Sequence, residues 1–196
     1  MIFLGAVFDF LDGFAARALK VKSEIGKQLD SLADLATFGI LPALIMYQLT
    51  ADITNGWEMY IPLVIALAAA VRLAKFNIDS RQTNYFIGLP TPAMALMCAS
   101  LPFIRMEEHA TGTFNIVTLL GLSLVLAFLM ISRIKLIAFK FTHFKWNGNE
   151  ARYILILLFL ILVFYFSFLS IPIVLVLYLI FSLFAKYPES GPNHQI

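Results

Sequence analysis

The chain has 196 residues, of which 61% are hydrophobic and 13% charged, with a mean hydropathy of +0.87, whereas a soluble domain is roughly half apolar and a quarter charged. These proportions exclude a water-soluble globular protein and imply an integral membrane protein. Fourteen Lys and Arg against twelve Asp and Glu leave a net charge of +2, too small a field to indicate a nucleic-acid partner. The single cysteine, Cys98, allows no intrachain disulfide and no CxxC redox or metal motif.

In chain order, the apolar residues form seven segments suited to helical spans: 1–16, 29–49, 59–76, 86–104, 114–131, 153–169 and 171–185. This pattern predicts an all-α, polytopic transmembrane helix bundle. The first segment is short for a span and begins inside an apolar run, so an upstream helix, giving eight spans in the full-length protein, is expected. Asn147-Gly148-Asn149 marks a turn before the sixth segment, and Ser170 with Pro172 forms a tight connection between the last two. The last two segments are rich in Phe, which suits lipid-facing packing or an oligomer surface. One membrane domain is expected over 1–186, with a disordered tail over 187–196.

The basic residues are one-sided. Arg17, Lys20, Lys22 and Lys27 occupy the first connection, and Arg72, Lys75 and Arg81 the third. Arg133, Lys135, Lys140, Lys145 and Arg152 occupy the fifth, and Lys186 follows the last segment. The opposite side holds Arg105 together with Asp52, Glu58, Glu107 and Glu108. The excess of Lys and Arg on cytoplasmic loops places the odd-numbered connections and the C-terminus in the cytoplasm.

Asp9, Asp12, Asp30 and Asp34 lie within the first two apolar segments. An Asp near a helix centre costs about 2.5–3.5 kcal/mol, so the four together cost on the order of 10 kcal/mol. Such a cluster is expected to face a polar cavity and meet cations. Asp9 and Asp12 are spaced i, i+3 and Asp30 and Asp34 i, i+4, so each pair shares one helix face. Hard oxygen donors without His or Cys favour Mg²⁺ or Mn²⁺. Gly13, Ala16 and Gly26 leave room for a ligand near the backbone, and Arg17 supplies a guanidinium suited to phosphate. Four carboxylates and a diphosphate total about −6, against about +5 from two divalent cations and Arg17, so a cation-dependent diphosphate site is nearly balanced. Interfacial aspartates pairing with Lys20, Lys22 and Lys27 are the structural alternative.

Read in order, Asp9-x2-Asp12-Gly13-x2-Ala16-Arg17-x8-Gly26-x3-Asp30-x3-Asp34 resembles the signature of the CDP-alcohol phosphotransferase family at every specified position. The resemblance implies two divalent cations held by Asp9, Asp12, Asp30 and Asp34, with Asp34 also the general base. It implies that Gly13, Ala16 and Arg17, with Gly26 nearby, contact a CDP-linked lipid whose CMP is displaced by an alcohol. Gln28 to Asp34, Phe38-Gly39, Arg72 to Asn77 and Phe86 to Pro92 resemble the branch of that family that uses L-serine and CDP-diacylglycerol to form phosphatidylserine. Ser31 and Leu35 depart from the Pro and Lys usual in the branch that uses glycerol 3-phosphate. Lys75 stands where the serine branch often carries Arg, which keeps the charge and loses the fork geometry. Homodimers are usual in the family, so a homodimer is expected.

Serine carries a carboxylate, and Arg72 and Lys75, with Asn77 close by, are candidates to bind it or a phosphate; ordinary cytoplasmic anchoring is the alternative. Arg133 is a further candidate, with anchoring equally open. Gly88-Leu89-Pro90-Thr91-Pro92 reads as a helix start or kink before it reads as a ligand site, and Lys20, Lys22 and Lys27 read equally as lipid-attracting or solvated. Cys98, His109, His143 and His194 lack ligand-like spacing. A transferase with another acceptor, such as inositol phosphate or glycerol 3-phosphate, is the nearest alternative. A cation transporter using the aspartates, or a purely structural subunit, are alternatives from other classes.

Overall fold

The computed structural model describes Ile2, Leu4, Gly5 and residues 24–78, 85–106, 114–137 and 150–184. The tail expected over 187–196, the turn at Asn147-Gly148-Asn149, and most of the segment 1–16 lie outside the described residues.

Helix α1 (Glu24–Leu35) carries Glu24 in its first turn, where a carboxylate complements the helix dipole. It runs through a π-helical segment, Ala36–Ile40, into α2 (Leu41–Ala51). Pro42 accounts for the wide turn: it lacks the N–H that would reach the Phe38 carbonyl, and its ring crowds that carbonyl. The Leu41 N–H accordingly reaches back to the Ala36 carbonyl. Phe38 is fully buried. A Cβ on Gly39 would lie 2.9 Å from the Ala69 Cβ, so this small-residue contact lets the π segment approach α3 (Val64–Ile78) closely. A 3₁₀ segment, Trp57–Leu63, leads into α3.

Next come β1 (Tyr85–Ile87), α4 (Thr91–Met106), α5 (Ile116–Ile131) and β2 (Lys135–Ile137). Asn115 caps α5 by accepting from the Thr118 N–H at 2.9 Å. The strands pair antiparallel, with Phe86 opposite Leu136. This ribbon departs from the all-α expectation, and the predicted span 86–104 begins instead as a strand, with the helix starting at Thr91. The Gly88-to-Pro92 run is the junction between the two. Gly88 has φ +74°, and its N–H donates to Ile134 O at 2.9 Å while Leu89 N–H donates to Leu129 O at 3.0 Å.

Helix α6 (Glu150–Phe166) and α7 (Ser170–Phe184) pack against each other across a 3₁₀ turn, Ser167–Leu169, in which Ser167 takes φ +46°. The tight connection expected near Ser170 and Pro172 thus begins three residues earlier. The C-terminal helix also holds the ribbon: Tyr178 Oη donates to Ile137 O at 2.9 Å, and Ser182 Oγ accepts from Ile137 N at 3.1 Å.

The core gathers Met46, Ile65, Met94, Leu119, Leu126 and Met130 from α2 to α5, each essentially inaccessible. Some buried hydroxyls are satisfied within their own helices, as in Thr50 to Met46 O at 2.8 Å and Ser123 to Leu119 O at 2.7 Å. Large apolar side chains cover the outside, with Leu67 69% and Phe164 83% exposed, as suits contact with hydrocarbon. Among the described residues, three helical stretches, Glu24–Ala51, Trp57–Ile78 and Leu157–Phe184, are long and apolar enough to cross a membrane, which fits an integral membrane protein.

Arg105, at the end of α4, pairs with Asp52, just past α2, at 2.7 Å, and Gln48 Nε2 donates to the same carboxylate at 2.9 Å. Both charged side chains are more than a third exposed. Arg105→Ala is therefore expected to cost no more than about 1 kcal/mol, to be read from the thermal melt of the purified protein in detergent.

Candidate active site

The site is built where α1 meets the C-terminal half of α3. Helical spacing puts Asp30 and Asp34 one turn apart on α1, Asp30 exposed and Asp34 half-buried. Gly26 lies one turn before Asp30, in the exposed first part of the helix. The two carboxylates are hard oxygen donors and suit a divalent cation. Among the described residues no three Asp, Glu, His or Cys side chains gather into a metal site. Asp9, Asp12, Gly13, Ala16 and Arg17 lie outside the described residues, as do Lys20 and Lys22.

Facing α1, α3 presents Arg72 with 7% exposure. Its Nε is buried and finds no hydrogen-bond partner among the described residues. Burial desolvates the guanidinium, and Tyr178 and Asp34 act on it electrostatically. A buried cation without a full hydrogen-bond complement is unusual, since leaving such a group unsatisfied costs about 1–3 kcal/mol or more. Among the described residues, Arg72 Nε is such a group. Lys75 is exposed near the end of α3, and Arg133 is exposed in the link between α5 and β2. Lys135 stands over the Tyr85 ring, 5.0 Å from its centroid.

Two hydrogen bonds join α1 to the end of α3, and a third within α1 links them. Lys27 Nζ donates to Asn77 O at 3.0 Å, Asn77 Nδ2 donates to Ser31 Oγ at 2.8 Å, and Ser31 Oγ donates to Lys27 O at 3.1 Å. The structure therefore engages the Asn77 amide with Ser31, and it gives Lys27 and Ser31 parts that sequence reasoning missed. The available signal was that positions 27, 31 and 34 recur on one helix face, but the partner is 46 residues away from Ser31. Tyr178 was missed as well, because nothing in an apolar C-terminal segment ties one tyrosine to a distant arginine.

The CDP-alcohol phosphatidyltransferase family model matches residues 1–124. Among similar proteins, the Bacillus subtilis (strain 168) "CDP-diacylglycerol--serine O-phosphatidyltransferase" is 35% identical over 149 residues, covering 76% of each chain. A Helicobacter pylori (strain J99) protein of the same name is 32% identical over 75% of this chain and 62% of its own. A third of that name, from Methanocaldococcus jannaschii, is 37% identical over 50% of this chain and 46% of its own. Extending over well over half of the sequence, the family match makes this chain a member of the CDP-alcohol phosphatidyltransferase family.

Proposed function

We propose that this protein is a phosphatidylserine synthase, which transfers a phosphatidyl group from CDP-diacylglycerol to L-serine and releases CMP. The observation that carries the reading is its similarity to proteins of that name in bacteria and an archaeon. Arg72, buried, with an Nε that has no hydrogen-bond partner among the described residues and in electrostatic interaction with Asp34, supports an anionic acceptor at this place.

Asp34 takes the proton from the serine hydroxyl, whose oxygen attacks the lipid-linked phosphorus. The bond from that phosphorus to the CMP oxygen breaks, and CMP leaves with the electron pair. Arg72 and Lys75 bind the serine carboxylate or a phosphate oxygen, with Asn77 and Arg133 at the rim. Gly13, Ala16, Arg17 and Gly26 bind the CDP moiety. Asp9, Asp12, Asp30 and Asp34 would hold two divalent cations, Mg²⁺ or Mn²⁺, which supply neutralisation of charge on the attacking and leaving oxygens. The one-sided basic residues support a site on the cytoplasmic face of the cell membrane, and the family resemblance supports a homodimer.

The test is CMP release from CDP-diacylglycerol by purified protein with Mg²⁺ or Mn²⁺, comparing L-serine, glycerol 3-phosphate and inositol phosphate. Release with serine alone supports the synthase; release only with another acceptor overturns it. Arg72→Ala is expected to raise the serine KM by about 10-fold or more, the scale of one charge-assisted contact, with the KM for CDP-diacylglycerol moving less. Equal changes in both constants would remove Arg72 from acceptor binding.

A further inference from the structure

The Lys27, Asn77 and Ser31 bonds form a closed ring in which each residue gives one hydrogen bond and receives one. The Asn77 carbonyl is one of the last four of α3, which have no partner inside their own helix. Lys27 satisfies it and sets a positive charge at the negative end of the α3 dipole. The Ser31 hydroxyl is used twice, as donor to its own helix and as acceptor from the other. Ser31 directly follows Asp30 and precedes Asp34 by three residues, whereas Asn77 lies five residues beyond Arg72 on α3. The ring therefore spans the two helices that carry the two halves of the site.

We infer that Lys27, Ser31 and Asn77 are a positioning latch, which fixes the carboxylate face of α1 against the cationic end of α3, and that Asn77 acts through Ser31 rather than by touching the acceptor. The inference rests on the proposed use of Asp30 and Asp34 as cation ligands. A loosened α1 displaces these carboxylates relative to whatever faces them, so cation affinity falls even though no ligand has been removed. The Asn77 side chain and the Ser31 hydroxyl should be equivalent in this respect, since each is half of the same bond.

The test is a Mn²⁺ titration of the full chain in nanodiscs, with free Mn²⁺ followed by electron paramagnetic resonance and serine-dependent CMP release measured on the same preparations. Ser31→Ala and Asn77→Ala should each weaken Mn²⁺ binding by about five-fold, the size of one partly exposed hydrogen bond. The double variant should be no weaker than either single one, and Ser31→Thr, which keeps the hydroxyl, should stay near the parent. Unchanged Mn²⁺ binding in all variants, or losses that add in the double variant, would overturn the latch. So would a raised serine KM in Asn77→Ala with Ser31→Ala unaffected, which would make Asn77 a direct acceptor ligand. Non-additive Mn²⁺ losses in a protein that releases no CMP with serine would support the latch and overturn only the acceptor assignment.

Discussion

Asp34→Asn is expected to lower serine-dependent CMP release by about 10²–10⁴-fold, the range associated with loss of a positioned general base. The substitution keeps the size of the side chain and one oxygen, so packing at this half-buried position on α1 is little disturbed. It removes both the ability to accept the hydroxyl proton and one negative charge opposite Arg72. The loss should appear in kcat, with the thermal melt showing a folded protein. If turnover stays within a few-fold of the parent, Asp34 is neither base nor essential ligand, and another group must take the proton.

The second large effect concerns folding. Gly88→Ala is expected to destabilise the protein by about 3 kcal/mol, combining about 1–2 kcal/mol for a left-handed L-residue with the strain of crowding. At φ +74°, a Cβ on this residue would lie 2.5 Å from Met130 O, 3.0 Å from Ser132 O and 3.1 Å from Leu129 O. All three are backbone atoms at the end of α5, so no side-chain rotation relieves the contact. The neighbouring bonds from Gly88 N to Ile134 O and Leu89 N to Leu129 O would be strained with it. For a chain of this size the loss corresponds to a drop in melting temperature of about 6–12 °C. Gly121 is the matched control: nothing lies within 4 Å of a Cβ there, so Gly121→Ala in α5 should be neutral or stabilising by up to about 1 kcal/mol. Similar behaviour of the two alanine variants would show that Gly88 is not constrained as described.

What could be read before the fold was known follows the range of each interaction. The shared face of Asp30 and Asp34 is a local property of helical spacing, and α1 carries it as expected. Arg105 and Asp52 were placed on one side by charge counting alone, and they pair there. The ribbon left no such trace, since two three-residue strands are too short for a periodic signal and Phe86-Ile87 continues smoothly into apolar sequence. Gly88 before Pro90 marked a junction, but the need for a left-handed residue comes from α5 carbonyls more than 40 positions later. The burial of Arg72 was equally hidden, because a basic residue near a helix end reads as an anchor until its neighbours are known. Lys27 had the same ambiguity, and its contact with Asn77 depends on how α1 lies on α3.

The π-helical segment has a consequence for the phasing of the long helix Glu24–Ala51. Each residue of a regular helix advances the side-chain direction by about 100°, and a wide turn spends one residue more than a regular turn for the same advance along the axis. The carboxylate face upstream and the packed face of Met46 and Leu49 downstream are therefore offset by that extra residue. Regular winding through Ala36–Ile40 with no residue lost would swing Asp30 and Asp34 about the axis by about 100° relative to the packed face downstream, leaving every side chain of the site present but aimed elsewhere.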